Sequence, residues 1–126
     1  MTEPRLRPHP RERFDGPEHV IDLASASADL RAEPHAAVDG HRQVALFRRE
    51  GITLVLFEFD AGGGIREHRA AGLVTIHVLG GKLTVRTPAA KHELGAGQIL
   101  VLNPDVPHAV GANEPSTMLL SVHRVP

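Results

Sequence analysis

The 126 residues contain no cysteine, no tryptophan and no tyrosine. Without cysteine there is no disulfide, no thiolate metal site and no thiol nucleophile. Aromatic residues make up only 3%, so four phenylalanines together with Leu, Val, Ile and Ala must fill the core. An excess of charge of either sign is also missing. Fourteen Lys and Arg stand against fifteen Asp and Glu, for a net charge of −1, and this gives no electrostatic reason to expect nucleic acid or an anionic membrane as partner. The opening stretch MTEPRLRPHPRERFDGPEH has arginines but no apolar run. Neither a secretory leader nor a transmembrane segment is expected there, and a cytoplasmic protein is.

What is present is enough for one domain with a real core. Prolines and ionisable side chains crowd the first twelve residues, so residues 1–18 are expected to be a mobile arm and 19–126 the folded domain. Between Val20 and Glu33 the text VIDLASASADLRAE places Val20, Leu23, Ala24 and Leu30 near one helical stripe, and Pro34 stops it. One short helix is predicted there, and a loop over 34–43.

From Val44 onward the period changes to that of strands. The runs 44–48, 52–59, 73–79, 82–87, 91–94, 98–102, 108–110 and 117–123 are rich in β-formers, each separated from the next by Gly, Pro, Asn or Asp. Eight strands with no helix between them indicate an antiparallel sandwich or barrel. In 82–87, Leu83 and Val85 share a face opposite Lys82, Thr84 and Arg86, as in a strand wetted on one side. The 52–59 run is apolar on both faces and needs cover on both, which a second sheet plus a subunit partner would provide. Gly80-Gly81 reads as a hairpin turn, and Gly62-Gly63-Gly64 as a tight loop needing positive φ.

The glycines also frame two histidines. Gly62 or Gly63 is followed by His68-Arg69-Ala70, then Val74, then Gly81; Gly97-Gln-Ile-Leu-Val-Leu-Asn-Pro104-Asp-Val-Pro107-His108 follows later. These two stretches resemble the two motifs of the cupin superfamily, and the chain is identified as a small single-domain, RmlC-like member over residues 44–123. The resemblance implies an all-β double-stranded β-helix, a jelly-roll barrel, here with a short N-terminal helix. It also implies an interior pocket in which metal-binding members use two histidines and a Glu of the first motif with one histidine of the second. Only His68 and His108 survive at those positions, and Ala70 and Val74 replace the others.

Two imidazoles are fewer protein donors than a catalytic zinc or a non-haem iron ordinarily has. His77 and Glu67 are the candidates for a third ligand. By period-2 counting His77 faces away from Val74, Ile76 and Val78, and Glu67 faces away from His68 if that strand is regular. His92 is expected at a solvated turn, and His9, His19, His35, His41 and His123 on the surface. Three readings follow. The first is a metal-dependent enzyme, an oxygenase or isomerase, holding Zn, Fe, Mn or Ni. The second is a metal-free module whose pocket, lined by Val74, Ile76, Val78, Leu100 and Leu102, takes a small-molecule ligand oriented by His68 and His108. The third is a dimerising interaction protein. The two replaced ligand positions favour the second and third, and a homodimer is expected.

Overall fold

A computed structural model describes residues 13–34 and 36–124. Among the described residues nine strands form two antiparallel sheets. One sheet contains β1 (His41–Arg49), β2 (Ile52–Phe59), β4 (Leu73–Gly80), β7 (Ile99–Leu102) and β9 (Ser116–His123) in the order β1-β2-β9-β4-β7. The other has β3 (Gly64–His68), β5 (Lys82–Arg86), β6 (Lys91–Gly95) and β8 (His108–Ala112) in the order β3-β8-β5-β6. The inward rows of the two sheets meet in one apolar core that includes Phe57, Phe59, Val74, Ile76, Val78, Leu83, Val85, Val110 and Met118. These two sheets are the antiparallel sandwich or barrel expected from the spacing of the strands, and they agree with the jelly roll that the resemblance implies.

The one strand without a sequence signal is β3. Its residues Arg66, Glu67 and His68 are all exposed, so no alternation marks it. It can be so polar because it lies at the edge of its sheet, paired only to β8. The glycines before it are explained by two different constraints. Gly62 has φ +82°, a conformation that costs an L-residue with a side chain. Gly63 has no such φ, but a Cβ on it would come within 2.1 Å of the Gly40 carbonyl oxygen. This close approach lets Gly64 N donate to Asp39 O and Asp60 N to Gly40 O, which ties the start of β3 to the start of β1. Gly80-Gly81 closes no hairpin, because β4 and β5 belong to different sheets; the pair carries the chain from one sheet to the other.

Both faces of β2 are covered, as its sequence requires, but on the outer side the cover comes from the same chain. Helix α1 (Leu23–Arg31) is capped by Asp22, whose side chain accepts from Ser25 N at 2.9 Å. Leu30 and Leu56 are buried against this face at 2% and 0% exposure. The helix buries Ser27 and Leu30, with Leu23 half-buried beside them, rather than Val20 and Ala24, which are exposed. Ser27 is polar because it meets Glu58, a buried carboxylate on β2. Glu58 also accepts from the Thr117 hydroxyl at 3.0 and 2.9 Å and lies 3.7 Å from the Arg31 guanidinium.

The arm expected over 1–18 lies outside the described residues up to residue 12. From Arg13 it is seated at first: Phe14 is buried edge-on against Phe47, and Arg49 donates to the carbonyls of Phe14 and Gly16. Beyond that the chain is exposed as far as Val20. Among the described residues no helix is long and apolar enough to cross a membrane.

Candidate functional site

His108 reaches the barrel interior by plain alternation. On β8, His108, Val110 and Ala112 all face inward and are buried. His68 arrives by a different route. Ile65 pairs with Val110 and His68 with His108, so three steps on β3 match two on β8. One extra residue is therefore inserted, a β-bulge at a sheet edge. Counting by twos from Ile65, which packs on the core, would turn His68 outward. The bulge restores it to the side of His108, and the two ring centroids lie 4.3 Å apart with planes tilted by 57°.

Each ring is held in the same way. His68 Nδ1 lies 2.9 Å from the carbonyl oxygen of Arg66, and His108 Nδ1 lies 3.0 Å from that of Val106. A carbonyl oxygen only accepts, so each Nδ1 carries a hydrogen and, in the neutral ring, each Nε2 keeps a bare lone pair. The two imidazoles border one cavity of about 420 Å³. Its apolar wall comes from Phe57, Ile65, Ile76, Val110, Met118 and Leu120, with Gln43, Asp39, Arg66 and Glu67 on the polar side. Arg66 lies 4.0 Å from the Asp39 carboxylate in an exposed ion pair.

Of the expected lining only Ile76 borders this cavity. Val74, Val78 and Leu102 face inward but are closed into the core, and Leu100 packs against it. The cavity lies instead where β2, β3, β8 and β9 converge. His77 is on the outer face, paired with Leu119 and Ile99. Glu67 and His68 both border the cavity although they are neighbours in sequence, because one residue is inserted between Ile65 and His68. His92, expected in a solvated turn, is half-buried on β6 opposite Val85.

His41 is not a free surface residue either. Its Nδ1 lies 3.0 Å from Gly64 O and its Nε2 3.3 Å from Gln43 Oε1, which sets it beside the amide that lines the cavity. Sequence reading missed Gln43, although its position, two residues from His41 on one strand face, was a usable signal.

The donor set does not fit a resident divalent ion. Among the described residues there is no group of three or more His, Cys, Asp or Glu side chains placed to hold one. Ala70 packs against the core and Val74 is within it, so the two replaced positions supply aliphatic carbon where oxygen or nitrogen would be needed. Two imidazoles alone leave a metal with fewer protein ligands than a stable site uses.

Burial lowers the pKa of His108 from its usual 6.5; the Val106 carbonyl works against this, and the nearby His68 adds to the lowering. The unfolded chain therefore takes up a proton near pH 6.5 that the folded state still refuses. This contribution to stability is whole above pH 6.5 and is lost as the pH falls through and below it. His108→Gln is expected to flatten the fall in melting temperature between pH 7.5 and 5.5, as followed by calorimetry. An unchanged slope would mean that His108 is not the group responsible.

A family model described as "Cupin domain" matches residues 55–123, more than half of the chain. Several solved structures are similar. A conserved protein of unknown function from Streptococcus pyogenes is 24% identical, with TM-score 0.71 over 90% of this chain and 95% of its own. A cupin superfamily protein from Desulfitobacterium hafniense is 19% identical, with TM-score 0.70 over 90% and 96%. A salicylate 1,2-dioxygenase from Pseudoaminobacter salicylatoxidans, solved as adducts with gentisate, is 14% identical, with TM-score 0.66 over 80% of this chain and 31% of the dioxygenase. At these identities the likeness is one of fold. No curated protein sequence matches the chain.

Proposed function

Because this chain belongs to the cupin domain family, we propose that it is a small-ligand-binding cupin of the cytoplasm, in which His68 and His108 orient a neutral guest through two imidazole acceptors. The observation that carries this reading is the shared tautomer. Both Nδ1 hydrogens are committed to backbone carbonyls, so both Nε2 atoms are acceptors beside one cavity. Burial disfavours the charged form of His108 and lowers its pKa. A guest suited to such a pair brings two adjacent hydrogen donors and an apolar body for the wall of Phe57, Ile76 and Met118. A carboxylate would set its lone pairs against those of the rings.

The cavity also supports a binding reading over a purely structural barrel, since a pocket of about 420 Å³ is within the range that small molecules occupy. The reading includes no metal step, because the side chains present supply too few donors.

The test uses catechol and benzoate as probes, matched in size, in buffer containing a chelator. Long-range ¹H–¹⁵N spectra at pH 8 read both rings directly. Catechol is expected to shift the Nε2 signals of His68 and His108, benzoate to leave them in place, and His108→Ala to abolish the response. Equal shifts with both probes, or none with either, would overturn the acceptor-pair reading. Stoichiometric metal in protein purified without a nickel column, lost in His108→Ala, would overturn it in favour of a metal-dependent enzyme.

A further inference from the structure

A second cavity, of about 390 Å³, lies beside α1 on the outer face of the larger sheet. The strands that wall the histidine cavity wall this one too, and they do so by alternation. Gln43, Phe57 and Met118 border the first, and their chain neighbours Arg42, Glu58 and Thr117 border the second. Arg42, Glu58, Thr117 and Gly80 pair in that order across β1, β2, β9 and β4, so they form one row on the face that Leu56 shares. The row ends in a residue without a side chain. A Cβ on Gly80 would meet nothing within 4 Å, so this glycine leaves space rather than relieving a clash.

The charges around that space are mixed and balanced. Two guanidiniums, Arg31 of α1 and Arg42 of β1, and two carboxylates, Glu58 of β2 and Asp60 just after it, border the cavity. Glu58 has acceptor capacity to spare although its side chain is only 8% exposed. Its Oε1 accepts from Ser27 and Thr117, whereas its Oε2 only shares the single Thr117 hydrogen, and each carboxylate oxygen has two lone pairs. Arg31 does not fill that gap. At 3.7 Å it is beyond hydrogen-bond reach, and with its side chain 61% exposed it can turn toward a guest. Arg42 is set at the wall by donating to the Glu33 carbonyl at 3.1 Å.

From this we infer that the cavity beside α1 is a second ligand site, for a small zwitterion of the α-amino acid type. The ammonium group donates to Glu58 Oε2 and the Asp60 carboxylate, and the guest's carboxylate accepts from Arg31 and Arg42. A simple cation would set itself against the two guanidiniums and a simple anion against the two carboxylates. A guest with both charges meets an opposite for each, and the volume is within the range that small molecules occupy. This inference is independent of the ligand reading above, because the two cavities lie on opposite faces of the sheet.

Amide ¹H–¹⁵N spectra of the full chain, titrated at neutral pH with L-valine, isobutylamine and isovalerate, test it. The amine is valine without its carboxylate, and the acid is valine without its ammonium group. Valine is expected to shift the Gly80, Gly81 and Thr117 amides saturably while the His68 and His108 ring signals stay in place. Each truncated probe is expected to bind at least about tenfold more weakly, the loss of one charge-assisted pair. Arg31→Gln, at an exposed site, is expected to narrow the gap between valine and isobutylamine and to preserve that between valine and isovalerate. Gly80→Leu is expected to fill the cavity and abolish the response with the melting temperature unchanged. No saturable shift with valine, equal responses to the three probes, a shift confined to the histidine rings, or an undiminished response in Gly80→Leu would overturn the inference.

Discussion

Gly63→Ala is expected to unfold the protein or to cost it about 3 kcal/mol or more, well beyond the loss of conformational freedom that glycine ordinarily brings. The added Cβ would lie 2.1 Å from the Gly40 oxygen, 2.7 Å from its carbonyl carbon and 3.0 Å from Asp60 O. All three are backbone atoms held by hydrogen bonds, so nothing nearby can swing aside. Relief would require the β1 and β3 starts to part, breaking the Gly64-to-Asp39 and Asp60-to-Gly40 bonds. Since β3 delivers His68, the same change displaces one of the two imidazoles. Urea denaturation reads the stability, and the His68 ring signals read the displacement. Gly62→Ala, with nothing within 4 Å of its Cβ, is expected to cost only the strain of its positive φ, about 1 kcal/mol. Equal losses at the two sites would refute the close-approach argument.

Glu58→Ala carries the second-largest expected effect, about 2 to 4 kcal/mol, because it strands partners rather than merely losing a contact. Ser27 at 8% exposure and the Thr117 hydroxyl would lose their acceptor inside the helix–sheet interface. The Arg31 ion pair adds little, as its guanidinium side chain is 61% exposed. Glu58→Gln keeps an oxygen for either hydroxyl and is expected to cost less than half as much. The loss should be local before it is global. Amide exchange is expected to speed up in Leu23–Arg31 and along β1 while β8 stays protected. Uniform acceleration would show that α1 is not a separable clamp. Its covering role also disposes of one expectation from the sequence: β2 needs no partner subunit on its outer face, because Leu30 fills that place.

How much of this was legible depended on whether a signal was periodic. His108 sits on a strand whose inward positions, His108, Val110 and Ala112, alternate cleanly, and its direction followed. The outward direction of His77 followed from the same counting. The direction of His68 did not, since it depends on one inserted residue in a polar edge strand, and a bulge without glycine leaves no trace in composition. The cavity wall was misplaced for a related reason. Counting assigns Val74, Val78 and Leu102 to the inner face correctly, yet it cannot say which inner residues close on one another and which leave space. That is decided by how deep each strand sits, and here the space opened beside Phe57 and Met118. Helix α1 was visible, but its buried stripe was shifted by Ser27, a polar residue that belongs inside only because Glu58 waits there.

The strand order has a consequence for the chain as it is made. β9 lies between β2 and β4 in the larger sheet, so the two halves of that sheet have no direct bond to each other until Ser116–His123 has emerged from the ribosome. Until then Leu56, Ile76 and Val78 lack their central neighbour, and the nascent polypeptide must carry sticky, half-finished β-surface. Assembly is then gated by the latest segment to arrive, which makes folding slow, dominated by distant pairings, and dependent on whatever shelters the growing chain in the meantime.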